Sequence, residues 1–167
     1  MKLFGHPIHQ MLIVFPLGLL ATAVAFDIVG LVASDPTWYL ISYWMIAAGI
    51  IGGLVAALFG VIDWWGIPAN TRAKSVGLLH GGGNVVVVLL FIVSWFLRGS
   101  PTVIPGTFAF VCSFVGVALA LVTGWLGGEL VDRLGVGVDE GAHLNAPSSL
   151  SSRPASAEAS ADIRKAA

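Results

Sequence analysis

Four long apolar runs alternate with short polar joints along this 167-residue chain. They cover about Met11 to Ala33, Trp38 to Ile62, Ser75 to Leu97 and Thr107 to Val131. A helix that crosses about 30 Å of hydrocarbon at about 1.5 Å per residue needs about 20 apolar residues, and each run supplies them. Barrel strands of about 10 residues are far shorter than these runs. The joints carry residues that stop helices: Ser34-Asp35-Pro36-Thr37, Gly66-Ile67-Pro68-Ala69-Asn70, and Arg98-Gly99-Ser100-Pro101 through Pro105-Gly106. Joints this short make successive spans antiparallel neighbours. The pattern therefore predicts an all-α polytopic membrane protein, an antiparallel four-transmembrane-helix bundle over residues 1–138. Residues 139–167 read as a Ser/Ala-rich cytoplasmic tail. From 145 onward it holds Pro147, Pro154 and no aromatic residue, too little to bury, so a disordered segment is expected.

Composition agrees with lipid as the solvent. Apolar residues make up 57% and charged residues 10%, with a mean hydropathy of +0.92, whereas soluble domains carry roughly 25% charge. A net charge of −1 gives no footprint for nucleic acid. The lone Cys112 excludes an internal disulfide, a covalent haem attachment motif and a cysteine zinc site. No nucleophile elbow, HExxH, P-loop or Rossmann glycine set occurs, so no enzyme class has support. Lys2 followed by an apolar stretch and Ala21-Thr22-Ala23 has the outline of a signal peptide. The apolar run continues to Ala33, however, which favours a span.

Lys and Arg placement sets the orientation. With both termini cytoplasmic, the inner side holds Lys2, Arg72, Lys74, Arg133, Arg153, Arg164 and Lys165, and the outer side only Arg98. Trp38, Trp44 and Trp95 then fall toward the outer interface, and Trp64, Trp65 and Trp125 toward the inner one, an aromatic belt on each side. This predicts a multi-pass membrane protein with both termini in the cytoplasm.

Membrane helices associate through close contact, which small residues at four-residue spacing allow. The second span carries Ala48, Gly52, Ala56 and Gly60, with Gly49, Gly53 and Ala57 alongside. The third has Gly77 and Gly81, and the fourth has Cys112, Gly116, Ala120, Gly124 and Gly128. These stripes predict tight packing within the bundle or a homo-oligomer.

Ionisable groups in spans are costly and normally face the bundle interior. Here they gather toward the inner boundary: His6 and His9 at the start of the first span, Asp63 at the end of the second, His80 in the third with Asn84 one turn deeper, and Glu129, Asp132 and Arg133 closing the fourth. Pro7 suits a first helical turn, and His6 and His9, three apart, then lie near one face. His9 and Asp27 are 18 residues apart, five turns at about 3.6 residues each, so they share a face that Pro16 bends. Gly81, Gly82 and Gly83 leave room beside His80. Blander roles stand beside these: headgroup contact for His6, Asp132 and Arg133, an interhelical hydrogen bond for His80 and Asn84, a cap or ion pair for Asp27, and a plain helical pair for Glu129 with Arg133.

Gly5-His6-Pro7-Ile8-His9, followed by Met11-Leu12 and Phe15-Pro16, resembles a bacterial family of predicted membrane proteins, domain of unknown function 2231. The likeness continues through Ile62-Asp63-Trp64 with Ile67-Pro68, Gly77-Leu78-Leu79-His80, Gly124-Trp125-Leu126-Gly127-Gly128-Glu129-Leu130-Val131 and Gly135-Val136-Gly137-Val138. The resemblance implies a four-helix membrane domain and a redox or metal role for its histidines, with no settled activity. The chain departs from the family pattern at Val14, where members often carry histidine, and at Leu134, where many do. A site built here must use His6, His9 and His80.

Three functional expectations follow. In the first, His9 and His80 bind haem b or another electron-transfer cofactor, with Asn84 nearby and Trp64 and Trp65 as walls. First and third spans lie diagonally across a simple bundle, a separation on the order of 13 Å, and bundle cores supply axial ligands from facing helices. A non-haem variant recruits His6, His9, His80, Asp63 and Glu129 around a metal ion. The partner would be a membrane redox protein. In the second, the chain is a non-catalytic scaffold or accessory subunit. In the third, Asp27, His9, Asn84 and His80 line a proton or small-solute pathway.

Overall fold

The computed structural model describes residues 1–157 of the chain. A minimal antiparallel ribbon, β1 (Lys2–Leu3) paired with β2 (His6–Pro7), opens it. Helices α1 (Ile8–Leu12) and α2 (Val14–Ala33) form the first span, α3 (Thr37–Trp65) the second, α4 (Arg72–Arg98) the third and α5 (Thr107–Gly128) the fourth. A π-helical turn over Glu129–Arg133 prolongs α5. All four spans are long and apolar enough to cross a membrane. The tail expected to be disordered is a run of turns as far as residue 157, and the rest of it, 158–167, lies outside the described residues.

Local chemistry explains each boundary. Pro16 has no N–H for the Leu12 carbonyl, and the helix is interrupted at Ile13, one turn earlier. The bend expected from Pro16 is therefore a break between α1 and α2. Ser34 adopts a left-handed φ of 55° that ends α2, and Pro36 precedes α3. Thr71 accepts a hydrogen bond from Lys74 N at 3.1 Å and caps α4. Gly99, at φ 68°, ends α4 where an L side chain is strained. The wider final turn is closed by Leu134 N donating to Glu129 O at 3.2 Å.

Packing is pairwise. The first span lies along α3 and α4 lies along α5; α3 and α4 form a lesser seam, and α2 and α5 a thin one. α2 and α4 thus run in the same sense on opposite corners. Leu20, Ala23, Val24, Ile46, Val87 and Phe91 form the buried centre. Glycine makes it possible: Leu20 occupies the space a Cβ would take at Gly49, Phe91 that at Gly116, and Tyr39 that at Gly30. The small-residue stripes are only partly used. Gly81, Gly82, Gly124 and Gly128 have no neighbour within 4 Å of a Cβ position.

Candidate functional site

His9 and His80 meet across the bundle near the end where the chain's first span begins. Their ring centroids are 6.3 Å apart and their planes stand at 89°. Each ring is anchored the same way. His9 Nδ1 lies 2.9 Å from the Ala56 carbonyl on α3, and His80 Nδ1 lies 2.8 Å from the Thr123 carbonyl on α5. One turn beyond each carbonyl, a glycine receives the ring. A Cβ on Gly60 would stand 2.9 Å from His9 Cε1, and one on Gly127 would stand 3.1 Å from His80 Cε1. A carbonyl only accepts, so each Nδ1 carries a proton, and in the neutral form of the ring the remaining lone pair is on Nε2.

Asn84 completes the surroundings of His80. Asn84 Oδ1 lies 2.9 Å from Thr123 Oγ1, whose hydroxyl also approaches Ala120 O at 3.1 Å, and the His80 carbonyl, which can only accept, sets the amide orientation. Asn84 Nδ2 then faces His80 Nε2 at 3.2 Å and donates to the His80 carbonyl at 2.9 Å. No hydrogen bond reaches His9 Nε2 among the described residues.

The remaining expected members do not join. His6 sits in β2, exposed, with Ser149 Oγ 3.3 Å from its Nε2. It is off the face of His9 because the chain is a ribbon up to Pro7, which is the residue before the helix and not in its first turn. Asp63 meets the Met1 amino group. Glu129 takes Arg72 Nη2 at 2.5 Å and not Arg133, since Arg72 opens α4 beside it and the π-helical winding alters the four-residue register. Among the described residues no three of His, Cys, Asp and Glu gather where a metal ion could be held. The five-residue metal set of His6, His9, His80, Asp63 and Glu129 is therefore not assembled. Trp64 does not wall the histidines either: its Nε1 donates to Lys74 O at 3.0 Å, its ring lies under Lys74 Nζ, and it fills the space at Gly77. Trp65 is 70% exposed.

At the opposite end of the bundle lies a second polar centre. Asp27 and Arg98 are buried, and Arg98 Nη1 and Nη2 approach the two Asp27 carboxylate oxygens at 2.9 and 2.5 Å. Ser42 Oγ lies 3.3 Å from Nη1 and Ser94 Oγ 3.5 Å from Nε. Placing Arg98 in the outer joint is thus corrected: it ends α4 inside the bundle, because the fully buried Asp27 carboxylate needs an opposite charge. The signal was present in the sequence as an acid within one span and a single basic residue at the same membrane end. With both Asp27 oxygens occupied, a pathway through a free carboxylate has no support here.

No curated protein and no solved structure matches the chain significantly. The family model described as "Predicted membrane protein (DUF2231)" matches residues 5–140, and the chain belongs to that family of membrane proteins.

Proposed function

We propose that this protein is a membrane electron carrier in which His9 and His80 would hold a b-type haem. The observation that carries the reading is the pair of rings 6.3 Å apart, each with Nδ1 given to a backbone carbonyl. If the group binds here, His9 and His80 would be the residues that hold it, one from each side of the bundle. Anchoring Nδ1–H to a carbonyl makes Nε2 the nitrogen that could coordinate; at His80 that nitrogen faces Asn84 Nδ2 at 3.2 Å, so the amide would have to yield to a ligand.

The ligand count favours haem over a bare ion. Two imidazoles alone leave most metal ions short of ligands, and among the described residues no group of three His, Cys, Asp or Glu gathers where it could hold one. Haem iron brings four in-plane nitrogens of its own and takes from the protein only the axial pair. When bound, the group supplies one-electron chemistry. The chain's own residues hold the imidazoles in one tautomer and one orientation, in a low-dielectric surrounding.

In this reading both termini are cytoplasmic in a bacterial inner membrane, with the centre toward the cytoplasmic face, and a membrane redox protein is the partner. A scaffold role is the second reading, favoured by the Asp27–Arg98 centre, which is satisfied without any ligand. The test is the absorption spectrum of full-length protein purified in detergent from haem-replete cells. A Soret band that His9→Ala and His80→Ala each abolish is expected. A colourless preparation overturns the proposal and leaves the scaffold.

A further inference from the structure

The two halves of the bundle repeat one another. A shift of 71 residues carries the first span onto the third: His9 falls on His80, Leu20 on Phe91, Ala23 on Ser94 and Asp27 on Arg98. A shift of 67 carries the second onto the fourth: Ser42 falls on Ala109, Gly49 on Gly116, Ala56 on Thr123 and Gly60 on Gly127. The contacts repeat at the same shifts. Leu20 seats on Gly49 as Phe91 seats on Gly116, and His9 seats on Gly60 as His80 seats on Gly127. His9 bonds the Ala56 carbonyl as His80 bonds that of Thr123. Both offsets hold from one membrane face to the other, across different residue types, so they describe the backbone arrangement and not one shared motif.

We infer that the membrane domain is a tandem duplication of one helix hairpin, the two copies related by a twofold axis along the membrane normal, and that Asp27–Arg98 is the clamp between the copies that sets His9 and His80 against one another. Parallel repeats about such an axis are an established way to build membrane proteins. The axis passes between the members of each equivalent pair: His9 with His80 at the inner end, Asp27 with Arg98 at the outer end. The clamp follows from which bonds cross it. Apart from the Trp64–Lys74 contacts that close the 66–70 joint, the side-chain hydrogen bonds between halves within the described spans converge on Arg98, which reaches Asp27 and Ser42 of the first copy. The imidazoles bond only within their own copies. Lipid gives the halves no hydrophobic drive to associate, so this bonded outer end weighs heavily in their alignment. The copies have diverged around it. Ser94 and Ser42 serve Arg98, whereas their equivalents, Ala23 and Ala109, have no hydroxyl to offer.

The duplication makes the clamp reversible. The clamp and the symmetry stand on the geometry alone; only their consequence for a bound group rests on the haem reading. The test is thermal melting of the full-length protein in detergent. Asp27→Asn and Arg98→Gln are each expected to lower the melting temperature by about 10 °C, as for a buried charge left alone. The exchange Asp27→Arg with Arg98→Asp recovers part of the loss, because the guanidinium in its new place lacks hydroxyl partners. Adding Ala23→Ser and Ala109→Ser to the exchange recovers most of it. A four-substitution variant that melts no higher than Asp27→Asn overturns the inference. Melting needs no cofactor, so a colourless wild type would sink the haem proposal without touching this one. If the wild type shows a Soret band and the four-substitution variant regains melting without regaining that band, the positioning role of the clamp is overturned.

Discussion

Arg98 meets Asp27 across the full width of the bundle, Nη1 at 2.9 Å from one carboxylate oxygen and Nη2 at 2.5 Å from the other, with both side chains buried. Two charges withdrawn from water cost several kcal/mol each and are tolerated only together, and their mutual attraction does little more than offset that cost. Removing one partner is therefore far worse than removing both. Arg98→Ala should destabilise the protein by about 3–5 kcal/mol, and Asp27→Leu with Arg98→Met by much less. Denaturation in mixed micelles, comparing the single and double variants, checks the order. Equal losses in both would show that the ion pair is not what the site provides.

The glycines beneath the imidazoles are the next place where bulk has a defined consequence. A Cβ at Gly60 or Gly127 comes within 2.9 or 3.1 Å of a histidine ring carbon, so a branched side chain there must displace the ring. Gly60→Leu and Gly127→Leu are expected to cost about 1–3 kcal/mol and to abolish any Soret band. Gly18→Leu, where nothing lies within 4 Å, should leave melting and spectrum unchanged. Spectra and melts of the three variants side by side are the measurement.

How much of this was legible beforehand depends on the range of the interaction. The spans, their antiparallel order and family membership follow from local runs of apolar residues and from motifs such as Gly5-His6-Pro7-Ile8-His9. The facing of His9 and His80 could be argued from depth alone, since both lie close to the inner boundary. What failed was lateral and rotational. His6 was lost to a two-residue ribbon, Glu129 to one widened turn, and Trp64 to Lys74, all effects of one or two residues of register. Arg98 was missed because a joint that contains Gly and Pro reads as solvated, whereas the helix keeps its last residue inside. The halves repeat through spacing and contact, with few identities, so reading residue by residue does not reveal them.

Asp35 gives the outer joint an acid limit. Its Oδ1 accepts from Thr37 N at 2.9 Å, and the backbone and side-chain hydrogen bonds from Thr37 hold its carboxyl below the usual aspartate range. A depressed value in the folded state means stability that is present at neutral pH and is lost as pH falls through that range and below it. The group is fully exposed, so the effect is small. Asp35→Asn should flatten the melting curve's acid limb between about pH 5 and pH 3 without changing its slope near neutrality. Melting temperature against pH for both proteins tests this.

The burial of Arg98 sharpens the orientation. The outer joints, 34–36 and 99–106, then contain no lysine or arginine at all, whereas Arg72, Lys74 and Arg133 stand at the inner ends of the spans. By charge bias the protein should hold both termini and the 66–70 joint in the cytoplasm. Cysteine placed at Asn70 should resist a membrane-impermeant thiol reagent in intact cells, and cysteine at Ser100 should react, in a Cys112→Ser background. The reverse labelling would invert the topology and put the imidazole pair on the far side.

Asn84 sits where it competes with any metal. Its Nδ2 is 3.2 Å from His80 Nε2, so the amide occupies the lone pair that iron would need, while Thr123 holds the amide in place through its Oδ1. Two opposing effects follow from one side chain. Losing an interhelical hydrogen bond costs roughly 0.6–2 kcal/mol in a membrane bundle, so Asn84→Leu should melt lower. The same change frees Nε2, so on the haem reading the variant should take up the cofactor more completely or more tightly than the wild type. Thr123→Val is the matched comparison: it loses the hydroxyl but keeps the carbonyl that anchors Nδ1. It should therefore shift the spectrum or occupancy in the same direction by a smaller amount. Titration of each protein with hemin, read at the Soret band, separates the cases. If Asn84→Leu binds less than the wild type, the amide supports the bound state instead of opposing it, and His80 must coordinate in another orientation.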